Sequence, residues 1–343
     1  MKLCNREDKR VLKERIANSE IKRLTMSFYQ YAQIGNPQLF RDYLYLHLDE
    51  VGVLGRIYVA HEGINAQLSV PEENFEAFKS VLETVIFLSG IRLNTAVEHA
   101  NDSFYKLIVK HRPKILADGL EDTSFDVTNK GKHLKADEFN EMIQKENTIL
   151  IDMRNHYETE VGHFKGAITP DVDNFRASLS FIEDEILDGN QDKNIVMYCT
   201  GGIRCEKASA WYKHRGFKNV YQLEGGIIKY ANDIEAHNLP NLFIGKNFVF
   251  DERLEEAISP DVIANCHTCG HPFDSHTNCG NVACNVLFIQ CNACKEKLDN
   301  CCSLECQEIN ALPEEEQRSL RKGKKSKRNV FKKGRSEKLV FKK

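Results

Sequence analysis

At 343 residues, 41% hydrophobic and 28% charged, the chain has material for two or three folded domains and lacks the composition of a fibrous or wholly disordered protein. No apolar run approaches the roughly 18 residues that cross a bilayer, and the charged start MKLCNREDKRVLKERIANSE has no secretory signal pattern, so a soluble, cytoplasmic protein without membrane contact is expected. The formal charge of −3 conceals an asymmetry, because residues 318–343 hold thirteen Lys or Arg against one acid, Glu337, a charge of +12 that leaves about −15 on the rest.

Residues 1–23 read as a charged helical extension. From Leu24, TMSFYQYAQI suggests a strand, NPQLFRDYLYLHLDEVG a helix from near Pro37, and GRIYVA and GINAQLSV two strands joined at His61, Glu62 and Gly63. PEENFEAFKSVLETV then suggests a helix and FYKLIVKHRP a strand. This β-α-β-β-α-β order predicts a ferredoxin-like α+β sandwich over residues 24–116.

The turn-rich stretch ADGLEDTSFDVTNKGKHL marks a boundary. Beyond it, helix ADEFNEMIQKE, strand TILIDMR, helix DNFRASLSFIEDEIL, strand NIVMYC, helix CEKASAWYKHRG and strand NVYQLEGG predict a parallel α/β domain over 125–243. Residues 244–310 are Cys-rich and short of apolar core material, and 311–343 are expected to be a disordered basic tail. Such a tail either solubilises the chain or adds affinity for a polyanion such as nucleic acid.

The chemistry concentrates in the loop CTGGIRC. Cys199 ends a buried strand; Thr200, Gly201, Gly202, Ile203 and Arg204 follow, and a helix is expected from about Cys205. Two glycines let backbone N–H groups curl inward, and the helix N-terminus adds its positive end. The natural occupant is the Cys199 thiolate, its pKa lowered by those donors and by Arg204, which makes it a candidate nucleophile. Cys205 reads as a small residue of the helix's first turn, with a resolving thiol as the alternative.

Nine of the twelve cysteines lie between Cys266 and Cys306. CHTC and CNAC are two CxxC knuckles of the kind that aim thiolates at one tetrahedral zinc ion. Eight or nine thiols suit one or two structural zinc sites: either Cys266, Cys269, Cys279 and Cys284 with Cys291, Cys294, Cys302 and Cys306 as the second set, or a crossed pairing that joins the two knuckles. His267, His271 and His276 are weaker ligand candidates, and an iron–sulfur cluster is the alternative metal group. His61, Glu62 and Asn65 cluster on a hairpin tip, either to bind substrate or as turn chemistry. Phe28, Tyr29 and Tyr31 suit either base stacking or core packing.

Cys-x4-Arg after a buried strand, with IDMRNHYETEVGHFKGA before it and VYQLEGGI after it, resembles the rhodanese domain. There the first loop cysteine carries a persulfide, and the match falls on Cys199. Asp152 and Arg154, and Gly162, His163, Gly166 and Ala167, match framework motifs of that domain. More widely, YVAHEGINAQLSVP, IDMRNHYE, MYCTGGIRCEKASAW, EGGIIKYA, FIGKNFVFDER, SHTNC and LFIQC resemble the bacterial rhodanese-like tRNA uridine 5-hydroxylase family over nearly the whole chain. The resemblance implies oxygen-dependent 5-hydroxylation of the wobble uridine, with molecular oxygen as co-substrate and the tRNA anticodon arm as partner. No dinucleotide fingerprint is present, so no nucleotide cofactor is expected. A persulfide-carrying sulfurtransferase and a non-catalytic RNA-binding scaffold are the rival readings.

Overall fold

The structure is a computed structural model that describes residues 3–122, 124–322 and Leu339. The tail beyond Lys322, Leu339 apart, lies outside the described residues, and so does that part of the expected disorder.

Helix α1 (Lys9–Ala17) is capped by the Asp8 side chain, which accepts from the Arg10 N–H at 2.8 Å, and it buries only Leu12. The first domain follows as β1 (Arg23–Tyr31), α2 (Pro37–Glu50), β2 (Leu54–Ala60), β3 (Gly63–Pro71), α3 (Phe75–Glu83), β4 (Asn94–Thr95) and β5 (Leu107–His111). Asn36 caps α2 by accepting from the Leu39 N–H at 3.0 Å, with Pro37 in the first turn where its missing N–H costs nothing. The sheet order is β4-β1-β3-β2-β5. The strand expected to close the sandwich, FYKLIVKHRP, does not lie beside β1. That place is taken by two-residue β4, antiparallel to β1, while β5 lies at the opposite edge, parallel to β2. A pattern of residues gives a strand but not its neighbour, which explains the difference.

Along β1 the period of two sends Met26 and Phe28 into a core with Leu44, Leu48, Ile57, Ile64, Ala66 and Phe78. Ser27, Tyr29 and Tyr31 alternate to the other face. That face meets the second domain, not water.

The second domain runs β6 (Lys132–Leu134), α4 (Ala136–Met142), β7 (Thr148–Asp152), α5 (His156–Thr159), β8 (Gly162–Phe164), α6 (Phe175–Ile182), β9 (Asn194–Tyr198), α7 (Ile203–His214), β10 (Val220–Leu223) and α8 (Gly226–His237). Its sheet, β6-β10-β9-β7, is parallel, with an apolar core on each face as the continuous hydrophobic strands require. The expected long helix DNFRASLSFIEDEIL is α6 followed by a wider π-type turn, Glu183–Leu187.

The third part holds β11 (Phe243–Phe248), β12 (Glu255–Ala257), β13 (His276–Asn278), β14 (Leu287–Ile289), α9 (Asn292–Lys297), α10 (Leu304–Ala311) and α11 (Glu314–Arg321). Strand β11 pairs antiparallel with β8 of the second domain as well as with β12, so a single sheet spans the expected boundary at residue 244. Gly162 permits the contact, since a Cβ there would stand 2.2 Å from the Lys246 carbonyl oxygen. Residues 314–321, expected to be disordered, are helical. Three glutamates at the N-terminus, Arg318 and Arg321 in the last turn and a Glu314–Arg318 ion pair of 2.8 Å suit the helix dipole without any buried side chain. No described helix is long and apolar enough to cross a membrane.

Candidate active site

Strand β9 delivers Cys199 to the carboxyl edge of the parallel sheet, where crevices between connecting loops form binding sites. Gly202, at φ +100°, turns the chain into α7, which begins at Ile203, two residues before the expected start. Its N–H donates to Cys199 Sγ at 3.2 Å. The Cys199 and Thr200 carbonyls point the other way and accept from Ile227 and Ile228 at the start of α8, at 3.0 and 3.2 Å.

Cys199 is 1% exposed. Burial alone would push its thiol up, but the Cys205 S–H, the Arg204 charge and the N–H groups of Cys205 and Gly202 prevail and bring it down to about 6. Cys205, fully buried, is pushed well above the ordinary thiol range by burial and by Cys199 beside it. At neutral pH one sulfur is a thiolate and the other its donor. Cys205 is therefore more than the packing residue expected at a helix start.

Arg204 does not reach into the loop's centre. Its guanidinium makes two parallel bonds to the Glu158 carboxylate, 2.7 and 2.8 Å, and lies 5.8 Å from the Phe250 ring centroid. Glu158 is completely buried; burial would raise its carboxyl, and Arg204 holds it low instead. Arg204 acts on Cys199 as a fixed nearby charge. Asp152 and Arg154 form a second buried pair at 2.6 Å, and Arg154 also donates to the Gly162 carbonyl, the framework role expected for them. His163 is only half-buried and its Nδ1 meets the carbonyl of Phe164, so it ties nothing remote together.

Above Cys199 lies a cavity of about 340 Å³, within the range of small-ligand sites. Cys199, Thr200, Gly201 and Ile203 form one wall, and Ser27, Tyr29, Tyr58, Asn65 and Gln67 from the sandwich sheet face them. Phe250 and Arg253 close a third side. Tyr29 packs on the loop closely enough that a Cβ at Gly202 would stand 2.9 Å from its hydroxyl, which donates to Glu206 at 3.5 Å. Phe28 belongs chiefly to the core, and Tyr31 stands under Lys207, whose Nζ is 5.5 Å from the ring centroid.

Of the three hairpin-tip residues, only Asn65 lines the cavity. His61 is exposed, with Nδ1 against the Ile34 carbonyl at 3.0 Å. Glu62 accepts from the Ile115 N–H at 2.9 Å and pairs with Lys207 at 2.5 Å; Lys207 also reaches Asp118 at 2.6 Å. These two side chains brace the turn and the domain contact. Sequence reasoning missed Glu158, Gln67, Phe250 and Arg253. The first sits in IDMRNHYE and the last two in FVFDER, whose length and irregularity were the signal, but no spacing rule tied them to Cys199.

The eight candidate ligand cysteines gather in the crossed pairing: Cys266, Cys269, Cys291 and Cys294 in one group, Cys279, Cys284, Cys302 and Cys306 in the other, each with its sulfurs within 4.8 Å of one another. Three separations are 3.7 Å: Cys269–Cys291, Cys284–Cys302 and Cys302–Cys306. Thiolates on a tetrahedral ion with Zn–S near 2.3 Å stand about 3.8 Å apart, so either group could hold one such metal ion, whereas a polynuclear cluster would spread them further. Cys301 is buried outside both groups. His267 instead pairs with Glu160 at 2.7 Å, joining this part to the second domain, and His276 lies 3.5 Å from Glu255.

Residues 23–115 match the UPF0176 acylphosphatase like domain, 135–233 the rhodanese-like domain and 244–307 the rhodanase C-terminal family. The tRNA uridine(34) hydroxylase of Pectobacterium carotovorum subsp. carotovorum (strain PC1) is 53% identical over 335 residues, 95% of this chain and 94% of its own. That of Leptospira interrogans serogroup Icterohaemorrhagiae serovar Lai (strain 56601) is 50% identical over 333 residues, 97% of this chain and 90% of its own. Identity of this extent spans the sandwich, the thiol loop and both cysteine groups together, and on that ground the chain belongs to the tRNA uridine(34) hydroxylase family.

Proposed function

We propose that the chain hydroxylates C5 of uridine 34, the wobble position of the tRNA anticodon, with molecular oxygen as co-substrate and Cys199 as the essential nucleophile. The observation that carries this reading is a thiol brought down to about 6 at the wall of a cavity of about 340 Å³, in a chain half-identical to proteins bearing that name. Cys199 Sγ adds to C6 of the uracil, and the C5–C6 π pair moves to C5. That carbon gives two electrons to oxygen and becomes a hydroperoxide on protonation. Cleavage of the O–O bond to a hydroxyl and water takes two electrons and two protons from a thiol-class reductant. Loss of the C5 proton with expulsion of the thiolate restores the ring and frees Cys199.

The anticodon loop presents its base unpaired, the form in which enzymes reach a single nucleotide, and the cytoplasm, where tRNA is found, is the expected place of action. Each four-thiolate group would hold one zinc ion; four thiolates leave no open coordination position, so the metal's part is structural. Replacement of Cys199 by alanine, with nucleoside mass spectrometry of tRNA from a strain that carries only the variant, tests the proposal. Loss of the one-oxygen increment on uridine is expected, and undiminished 5-hydroxyuridine refutes the role of Cys199.

A second reading, persulfide transfer, is favoured by one feature: the Gly202 N–H aimed at Cys199 Sγ, which stabilises a sulfur anion of either kind. A one-sulfur mass increment on Cys199 after thiosulfate treatment, with thiocyanate formed from cyanide, would support it.

A further inference from the structure

A second groove opens beside the thiol cavity and shares Tyr58 and Ala117 with it. Two arginines from different domains converge there. Arg112 follows the edge strand β5 and lies over the Tyr58 ring, 5.8 Å from its centroid. Arg176 stands on α6, next to Asn174 and Phe175, which line the thiol cavity. Its stem rests against Gly119, where φ is +73° and a Cβ would meet Arg176 Cγ at 2.4 Å, so only glycine leaves room for it.

Both arginines are exposed, and neither makes an ion pair among the described residues. The groove's acids are largely accounted for. Asp118 is neutralised by Lys114 and Lys207, each at 2.6 Å, and Glu121 alone stands free at the rim. Lys110 and His111, both exposed on β5, continue the basic ridge away from the cavity. Two guanidinium groups without an acidic partner at the mouth of a site suit an anion that offers two oxygens, as a phosphodiester does.

We propose that the groove of Arg112 and Arg176 holds the RNA phosphodiester adjoining the nucleotide whose base enters the Cys199 cavity. This rests on the reading of the cavity as a uridine site and adds the path of the backbone: along the β5 ridge, then between the two arginines. Tyr58, the wall shared by groove and cavity, separates the phosphate from the base.

The test uses full-length protein and an anticodon stem-loop RNA, with binding followed by fluorescence anisotropy across a salt series. Each contact to single-stranded RNA contributes about 0.7 to the slope of log affinity against log salt. Arg112→Ala and Arg176→Ala should each lower the slope by about that amount, and the double variant by about 1.4. The Michaelis constant for tRNA should rise roughly tenfold with kcat largely kept. Arg112→Lys with Arg176→Lys retains the charge and should retain the slope, and Lys79→Ala, on a helix across the sheet, should leave it alone. An unchanged slope in the double alanine variant, or an equal fall in the lysine variant, overturns the proposal. A wild-type protein that fails to hydroxylate uridine 34 while the slope falls as stated refutes the functional reading and leaves the groove standing. Hydroxylation with an unchanged slope refutes the groove alone.

Discussion

Replacing Cys205 with alanine removes the donor that does most to offset burial at Cys199. A hydrogen bond to a charged group contributes about 1.5–3 kcal/mol, and a weak S–H donor belongs at the low end, which corresponds to roughly one pKa unit. The Cys199 thiol should rise from about 6 by that amount. At a pH half a unit above the wild-type value, the thiolate fraction then falls from about three-quarters to about one-quarter, a threefold loss of reactive sulfur. Cys205→Ser keeps a donor in place and should hold the value near or below that of wild type. Peptide-resolved alkylation by iodoacetamide across a pH series reads Cys199 separately from the other eleven cysteines. Superimposable profiles for wild type and Cys205→Ala would refute this account of how the loop lowers its thiol. The same shift carries a sign for stability. The folded thiol ionises below its unfolded value, so the contribution is complete above the ordinary cysteine range and is lost as pH falls through about 6.

Glu158→Gln leaves the buried Arg204 charge without its anion and should cost about 3–5 kcal/mol, read as a lower guanidinium midpoint at unchanged slope; a loss below about 1 kcal/mol would mean that water or another group replaces the carboxylate. Gly202→Ala places a side chain at φ +100° and against the Tyr29 hydroxyl, so it should destabilise by about 1–2 kcal/mol and raise the Cys199 thiol through the displaced N–H, both measurable on one preparation. Purified protein should contain two zinc ions per chain, and Cys269→Ala or Cys279→Ala should each reduce this to one with partial unfolding of the third part; stoichiometric iron with visible charge-transfer bands would overturn the zinc assignment.

Local signals were legible where one residue's chemistry decides the outcome. Gly201 and Gly202 before a helical pattern placed Cys199 at a strand end, and two CxxC knuckles pointed to thiol groups that could hold a metal ion. The crossed pairing of those cysteines was open because spacing fixes which thiols share a turn, not which turns meet. Strand neighbours were hidden for the same reason: β4 has only two residues, and nothing in FYKLIVKHRP says which edge of the sheet it joins. Glu62 illustrates a further limit. A carboxylate on a hairpin tip reads as a binding group or as turn chemistry, and nothing local shows that the Lys207 ammonium lies 2.5 Å away, 145 positions along the chain.

The first domain's contribution follows from the face it presents. A sheet with Ser27, Tyr29, Tyr31, Asn65 and Gln67 on one side would ordinarily turn those residues to water. Here that side is pressed against a second domain: Ser27, Tyr29, Asn65 and Gln67 become the far wall of the thiol's cavity, and Tyr31 packs under Lys207. Lys207, held between Glu62 and Asp118, lies 3% exposed at this contact, where buried ions add little stability but penalise any other docking, because a shifted register would leave a charge buried and unpaired. Without the sandwich, the Cys199 loop would stand open to any small electrophile. With it, the thiolate faces a mainly apolar slot set with a few polar groups, one wall of which comes from the domain that does not carry the sulfur.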